Sequence, residues 1–181
     1  CKKSIYFITV FHPRAENRLT IEGAAAVNHW SDYYPSNAVD GKYGCKSCDD
    51  RSVLGYASVT TEWPWLQVQL QNWSFVQSVR IFNRKSCCGE RLFNLEVRVS
   101  LSGLMESHTG QITTTNRKCG EYPGPGVTDD TVNIPCMEPV YGKYVTIQLR
   151  SACKTNLNIE EIEVYGTGNT YYLSLIHISE P

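Results

Sequence analysis

The chain has no run of apolar residues approaching the roughly 20 that a membrane-spanning helix needs, so a spanning helix is not expected. It has no excess of charge of one sign either. Its 17 Lys and Arg against 18 Asp and Glu leave a net charge of -1, so no broad basic field recruits nucleic acid or anionic lipid. Histidine is scarce, with four in the chain and none between Trp30 and Trp63. Catalytic signatures are missing too: there is no Gly-x-Ser-x-Gly elbow, no His-Glu-x-x-His, no phosphate loop and no histidine near a plausible nucleophile. The acidic pairs Asp49-Asp50 and Asp129-Asp130 sit on turn-like stretches where carboxylates are expected anyway, which leaves a glycosidase little support. Helical periodicity and internal repeats are also lacking, so helical bundles, propellers and solenoids are not expected.

What is present is cysteine and alternation. Eight cysteines in 181 residues, in turn-rich surroundings, suggest a secreted, disulfide-stabilised domain. Leu66, Val68 and Leu70 alternate with Gln67 and Gln69. Leu95, Val97, Val99 and Leu101 alternate with Glu96, Arg98 and Ser100, and Val145, Ile147 and Leu149 with Thr146 and Gln148. Period two with one polar face predicts half-buried antiparallel strands. Further runs at 75–82, 131–136 and 159–165, separated by Gly, Pro, Asn and Asp clusters, complete the pattern of an all-β sandwich of two sheets. One domain is expected over 16–166. Residues 1–15 read as an N-terminal extension, a signal-peptide remnant or an extra strand, and 167–181 as a tail without function. Asn72-Trp73-Ser74 is a glycosylation sequon.

One segment narrows the function: Asn83-Arg84-Lys85-Ser86-Cys87-Cys88-Gly89-Glu90-Arg91. Adjacent cysteines, if oxidised, close a strained eight-membered ring and make a rigid apolar knob. The arginines on either side carry forked N–H donors that reach two oxygens at once, which suits the vicinal hydroxyls of a sugar. The blander reading makes Arg84 and Arg91 surface residues paired with Glu90 or Glu96. Trp63 and Trp65, in a Trp-Pro-Trp entering a strand, read as structural. His29 and His108 read as exposed loop residues.

In order and spacing, several pieces of the chain resemble the F-type lectins (fucolectins), within the wider discoidin or coagulation-factor C-type superfamily. They are Pro35-Ser36-Asn37-Ala38-Val39-Asp40-Gly41, Trp63-Pro64-Trp65-Leu66-Gln67-Val68-Gln69-Leu70, the 83–91 segment, Gly142-Lys143-Tyr144-Val145-Thr146 and Glu160-Glu161-Ile162-Glu163-Val164. The resemblance covers about 16–166, and Cys87-Cys88-Gly89-Glu90-Arg91 is its specific part. It implies an eight-stranded jellyroll β-sandwich, with a loop-built fucose pocket at one end and a structural calcium beside it. It assigns sugar binding to Arg84 and Arg91 and a stacking vicinal disulfide to Cys87 and Cys88. It also implies fucosylated glycans on cell or microbial surfaces as partners, and a role in innate defence or adhesion. Because a single shallow site binds weakly, a homo-oligomer is plausible.

Two positions depart from the family pattern. The histidine expected upstream of Arg84 is Ala57, with Tyr56 beside it, and the aspartate expected two residues after Arg84 is Ser86. Tyr56 is the expected substitute contact, through its hydroxyl or by packing on the C6 methyl, and His29 is an expected rim contact. An alternative keeps the fold and drops the sugar: an adhesion module binding protein or lipid, with Trp30, Tyr33 and Tyr34 as apolar spikes. For calcium, a hard cation takes six to eight oxygens, many from loop carbonyls. Asn37, Asp40 and Lys42 (through its carbonyl) with Glu161 are the expected ligands, against the alternative that Asp40-Gly41 simply makes a turn. Cys119 and Cys136 match a family disulfide. Cys153 is expected to bridge the loop holding Cys45 and Cys48, leaving one of those to pair with Cys1 or stay free. Zinc at Cys45-x-x-Cys48 is the weaker reading, since no second pair stands at matching spacing.

Overall fold

A computed structural model describes residues 16–43, 54–104, 108–112 and 116–168. Cys1, Cys45, Cys48 and the two terminal segments, with the readings placed on them, lie outside the described residues. Among the described residues there are nine β-strands and no α-helix. The strands are β1 (Asn17–Arg18), β2 (Ile21–Ala26), β3 (Tyr56–Ala57), β4 (Trp65–Phe82), β5 (Leu95–Ser100), β6 (Arg117–Tyr122), β7 (Thr131–Leu149), β8 (Asn158–Ile159) and β9 (Glu161–Gly168). Two 3₁₀ turns, Pro35–Val39 and Gly89–Arg91, complete the regular structure.

The expected sandwich is present, built by two strands that serve both layers. The runs 66–70 and 75–82 are one 18-residue strand, β4, and 131–136 continues through 145–149 as the 19-residue β7. The first half of β4 pairs with β2 and with the end of β7, which in turn pairs with β5, and β5 with β6. The second half of β4 lies between β9 and the start of β7. Register shifts between Gln69 and Ser74 and between Val76 and Ser78 interrupt the ladder. Such bulges bend a strand and increase its twist, so one seven-stranded antiparallel sheet folds over on itself. Val68, Leu70, Val79, Ile81, Val97, Val145, Ile147, Ile162 and Val164 meet inside it as a single core. A cross-strand disulfide, Cys119–Cys136, ties β6 to β7.

The structure corrects the expectation of one solvated polar face. Gln67, Glu96, Thr146 and Gln148 are all buried: Leu104, Gly110 and Ile112 of the loop after β5 meet Gln67 and Gln148, and Arg98, Lys118 and Arg150 surround the Glu96 carboxylate. Their burial is tolerable because partners are supplied. The Gln67 amide donates to Thr146 Oγ1 at 2.6 Å and accepts from the Leu104 N–H at 2.9 Å. Gln148 donates to the carbonyls of Trp63 and Gly110 and accepts from the Ile112 N–H. Trp65 is fully buried and donates to the His108 carbonyl, which makes His108 a half-buried lid residue where an exposed loop position was expected. Leu101 is not on the inward face, since β5 ends at Ser100 and Leu101 is exposed. The predicted run 159–165 is divided at Glu160, whose N–H donates to the Phe82 carbonyl, into β8 on a small second sheet and β9 on the large one.

Candidate functional site

The small sheet of β3 and β8 stands at one end of the sandwich. It pairs Tyr56 with Ile159 and Ala57 with Asn158. Side chains alternate across a strand, so the pair Tyr56 and Ile159 enters the core and the pair Ala57 and Asn158 faces the other way. Tyr56 is 1% exposed, and its hydroxyl donates to the Asn28 carbonyl at 2.9 Å. Burial pushes its phenol well above the usual tyrosine range. Tyr56 therefore does not supply the substitute sugar contact expected from its position. Its ring is core, and its hydroxyl anchors the loop before the site.

That loop carries aromatic side chains to the opening. The Trp30 N–H donates to the Ala57 carbonyl at 2.8 Å and the Ala57 N–H to the Tyr33 carbonyl at 3.4 Å, which seats residues 30–33 on the edge of β3. Trp30 remains 60% exposed. His29 turns away: its Nδ1 lies 2.9 Å from the Ser31 carbonyl and its ring packs on Tyr34, on a neighbouring cavity with Tyr34 and Pro35.

The 83–91 segment forms the facing wall, held by one buried amide. Asn83 donates to the carbonyls of Gly89 at 2.9 Å and Val127 at 2.8 Å, and its Oδ1 accepts from the Arg84 N–H. Gly89 is required by proximity, since a Cβ there would come within 2.3 Å of the Thr128 nitrogen. Cys88 adopts a left-handed backbone, φ 62°. Cys87 and Cys88 are free thiols in this structure, half-buried, with sulfurs 2.8 Å apart. Cys153 is an exposed free thiol.

Arg84 and Arg91 come together on one cavity of about 320 Å³, with Trp30, Tyr33, Ala57 and Asn158 also on its wall. Arg91 is exposed and Arg84 half-buried, but the pairing with Glu90 or Glu96 does not form among the described residues. Glu96 is taken by Arg98, Lys118 and Arg150, and Asp129 by Lys85. Among the described residues neither guanidinium has a hydrogen-bond or ion-pair partner. On the floor, Asn158 is 3% exposed and its Nδ2 has no partner, an arrangement that costs roughly 1 to 3 kcal/mol in a protein interior. Asn83 and Asn158 were both missed in the sequence. The first had a signal in its place at the head of the arginine segment. The second had none, because only the β3–β8 pairing brings it to the site.

The four expected calcium ligands lie near one another at the start and end of the domain. The Gly41 N–H donates to Glu161 Oε1 at 3.2 Å, and Asp40 Oδ1 accepts from the Lys42 N–H. Asn37 donates its amide to the Asp32 carbonyl, and the Lys42 ammonium lies 3.4 Å from Asp40. Glu161 is fully buried, and its Oε2 has no partner. Burial pushes its carboxyl up to about 7, the Gly41 N–H opposes this, and the charge of Asp40 adds to it. A buried carboxylate oxygen without a donor, close to a second carboxylate, fits a hard cation. No group of three His, Cys, Asp or Glu gathers there among the described residues, so carbonyl oxygens would have to complete the shell.

The NedA-like, galactose-binding domain model of the F5/F8 type C family matches residues 37–147. The fucolectin of Anguilla anguilla is 30% identical over 140 residues, covering 75% of this chain and 78% of that protein. The chain belongs to the fucolectin, or F-type lectin, family. F-type lectins are non-catalytic, and so is this domain. The serum F-lectin of Morone saxatilis superposes with a TM-score of 0.68 at 25% identity, over 83% of this chain and 49% of that one. The chain thus spans about half of that lectin. A fucose binding module of Streptococcus pneumoniae shares the fold, with a TM-score of 0.61 at 17% identity over 82% of this chain and 93% of that module.

Proposed function

We propose that this F-type lectin domain binds carbohydrate through the Arg84–Arg91 cavity, with terminal L-fucose of fucosylated glycans on cell or microbial surfaces as the ligand. One observation carries the reading: two guanidinium groups, each without a partner among the described residues, share one cavity at the loop end of the sandwich. An arginine fork offers several donors in one plane to adjacent sugar oxygens, and Trp30 gives the rim a ring on which an apolar sugar face can pack. The named fucolectin and F-lectin relatives support the choice of sugar.

Oxidised, Cys87 and Cys88 would present a flat sulfur surface beside the arginines, and their adjacent, half-buried thiols support this pairing. Calcium would be held by Asn37, Asp40, the carbonyl of Lys42 and Glu161, neutralising the buried carboxylate and fixing the loop beside the small sheet. Secretion accords with the Cys119–Cys136 disulfide. A homo-oligomer presenting several such sites would supply avidity that one weak site lacks.

The test is isothermal titration of L-fucose into the protein with calcium, and into Arg84→Ala. Saturable heat that vanishes in the variant supports the reading. No heat from folded wild-type protein sinks it and leaves the exposed Trp30 and Tyr34 to a protein or lipid partner.

A further inference from the structure

Among the described residues nothing accepts a hydrogen bond from Asn158 Nδ2. Asn158 is the cross-strand partner of Ala57, so the two side chains lie on one face with their Cβ atoms roughly 5 Å apart. Ala57 contributes only a methyl group, and both residues line the arginine cavity. Three other buried amides, Asn83, Gln67 and Gln148, all donate to named acceptors. Asn158 is equally buried, yet its Nδ2 has no acceptor. Neighbouring groups do not explain it, since the Asn156 amide donates to the Ser58 carbonyl and the Leu157 N–H is taken by Ser58 Oγ.

We propose that Asn158 is a specificity-determining ligand residue, donating from the floor of the cavity to one hydroxyl oxygen of the bound sugar while Arg84 and Arg91 hold others. This rests on the sugar-binding reading of the cavity. The small residue at 57 is part of the arrangement, because a larger side chain opposite Asn158 would stand between the amide and the ligand. A donor fixed on the rigid β3–β8 pair discriminates among sugars that differ at one ring carbon, since an analogue lacking that hydroxyl leaves the amide as it is in the free protein. The free protein bears a cost for this donor, as binding sites commonly do, and replacing it with an apolar residue of similar size removes that cost.

The test compares wild type, Asn158→Leu and Arg84→Ala by titration with methyl α-L-fucopyranoside, its monodeoxy analogues and methyl β-D-galactopyranoside, alongside thermal melting without sugar. Asn158→Leu should bind the fucoside about tenfold more weakly and melt at the wild-type temperature or above. One monodeoxy analogue should bind wild type about tenfold more weakly than the parent, yet bind Asn158→Leu as well as the parent does. Unchanged affinities in Asn158→Leu overturn the inference and leave the sugar site standing. A melting temperature lowered in Asn158→Leu overturns it as well, by showing that the amide supports the fold. Absence of binding by wild type to every sugar in the series removes the site and this inference together.

Discussion

Two sets of polar side chains lie in this domain, and they are treated in opposite ways. Under the loops after β5, Gln67, Thr146 and Gln148 form a closed set in which the amide groups find partners. At the end built by β3 and β8, the buried Asn158, the half-buried Arg84 and the exposed Arg91 have donors with no acceptor among the described residues. The first set fastens loops to the sheet. The second is held in place by others, Asn83 and the backbone bonds of residues 30–33, and is itself unspent. Buried polar groups with partners contribute to the fold, whereas unpaired donors gathered on one cavity point to a ligand.

The contrast is sharpest in binding. Arg84→Ala should reduce affinity for L-fucose about a hundredfold, as expected for a lost charge-assisted hydrogen bond of up to about 3 kcal/mol, while the melting temperature stays within a degree or two. Titration and calorimetry on the same samples check both halves, and a large loss of stability would break the comparison. The reverse is expected of Gln148→Ala. Removing an amide that serves two carbonyls and one N–H should cost about 2 to 3 kcal/mol in urea unfolding, with sugar affinity retained by the folded protein. Tyr56→Phe belongs with the structural set: losing the bond to the Asn28 carbonyl should cost about 1 kcal/mol of stability and weaken binding only through the loosened 28–34 loop. Smallest of all, His29→Ala should leave affinity for the free monosaccharide unchanged within about twofold, because the ring faces Tyr34 and the Ser31 carbonyl. A tenfold loss there would move the site toward the neighbouring cavity.

Calcium tests the other end of the same argument. Glu161 is a buried group with one oxygen unspent, so it behaves like the arginine set. Calcium should raise the melting temperature and EDTA should reverse the effect, with Glu161→Gln abolishing the response. A chelator-insensitive melting curve would return Asp40-Gly41 to the role of a plain turn.

By itself the sequence determined the all-β class, through period-two runs such as 95–99, and the centre of the site, through two arginines clasping adjacent cysteines. Those signals are local: alternation follows from strand geometry, and the arginines share one short segment. The doubled length of β4 and β7 was hidden, because a strand that turns through a bulge interrupts its own alternation. The polar face looked solvated because its cover comes from residues more than 30 positions away, as when Leu104 meets Gln67. Tyr56 and Ala57 are adjacent, and the pattern could not say which faced the core; the pairing with β8 decided it. The same pairing brought Asn158 opposite Ala57 across about a hundred residues of chain. Composition and spacing specify what a segment can form, whereas a donor without an acceptor is defined by everything packed around it, and only the tertiary structure decides that.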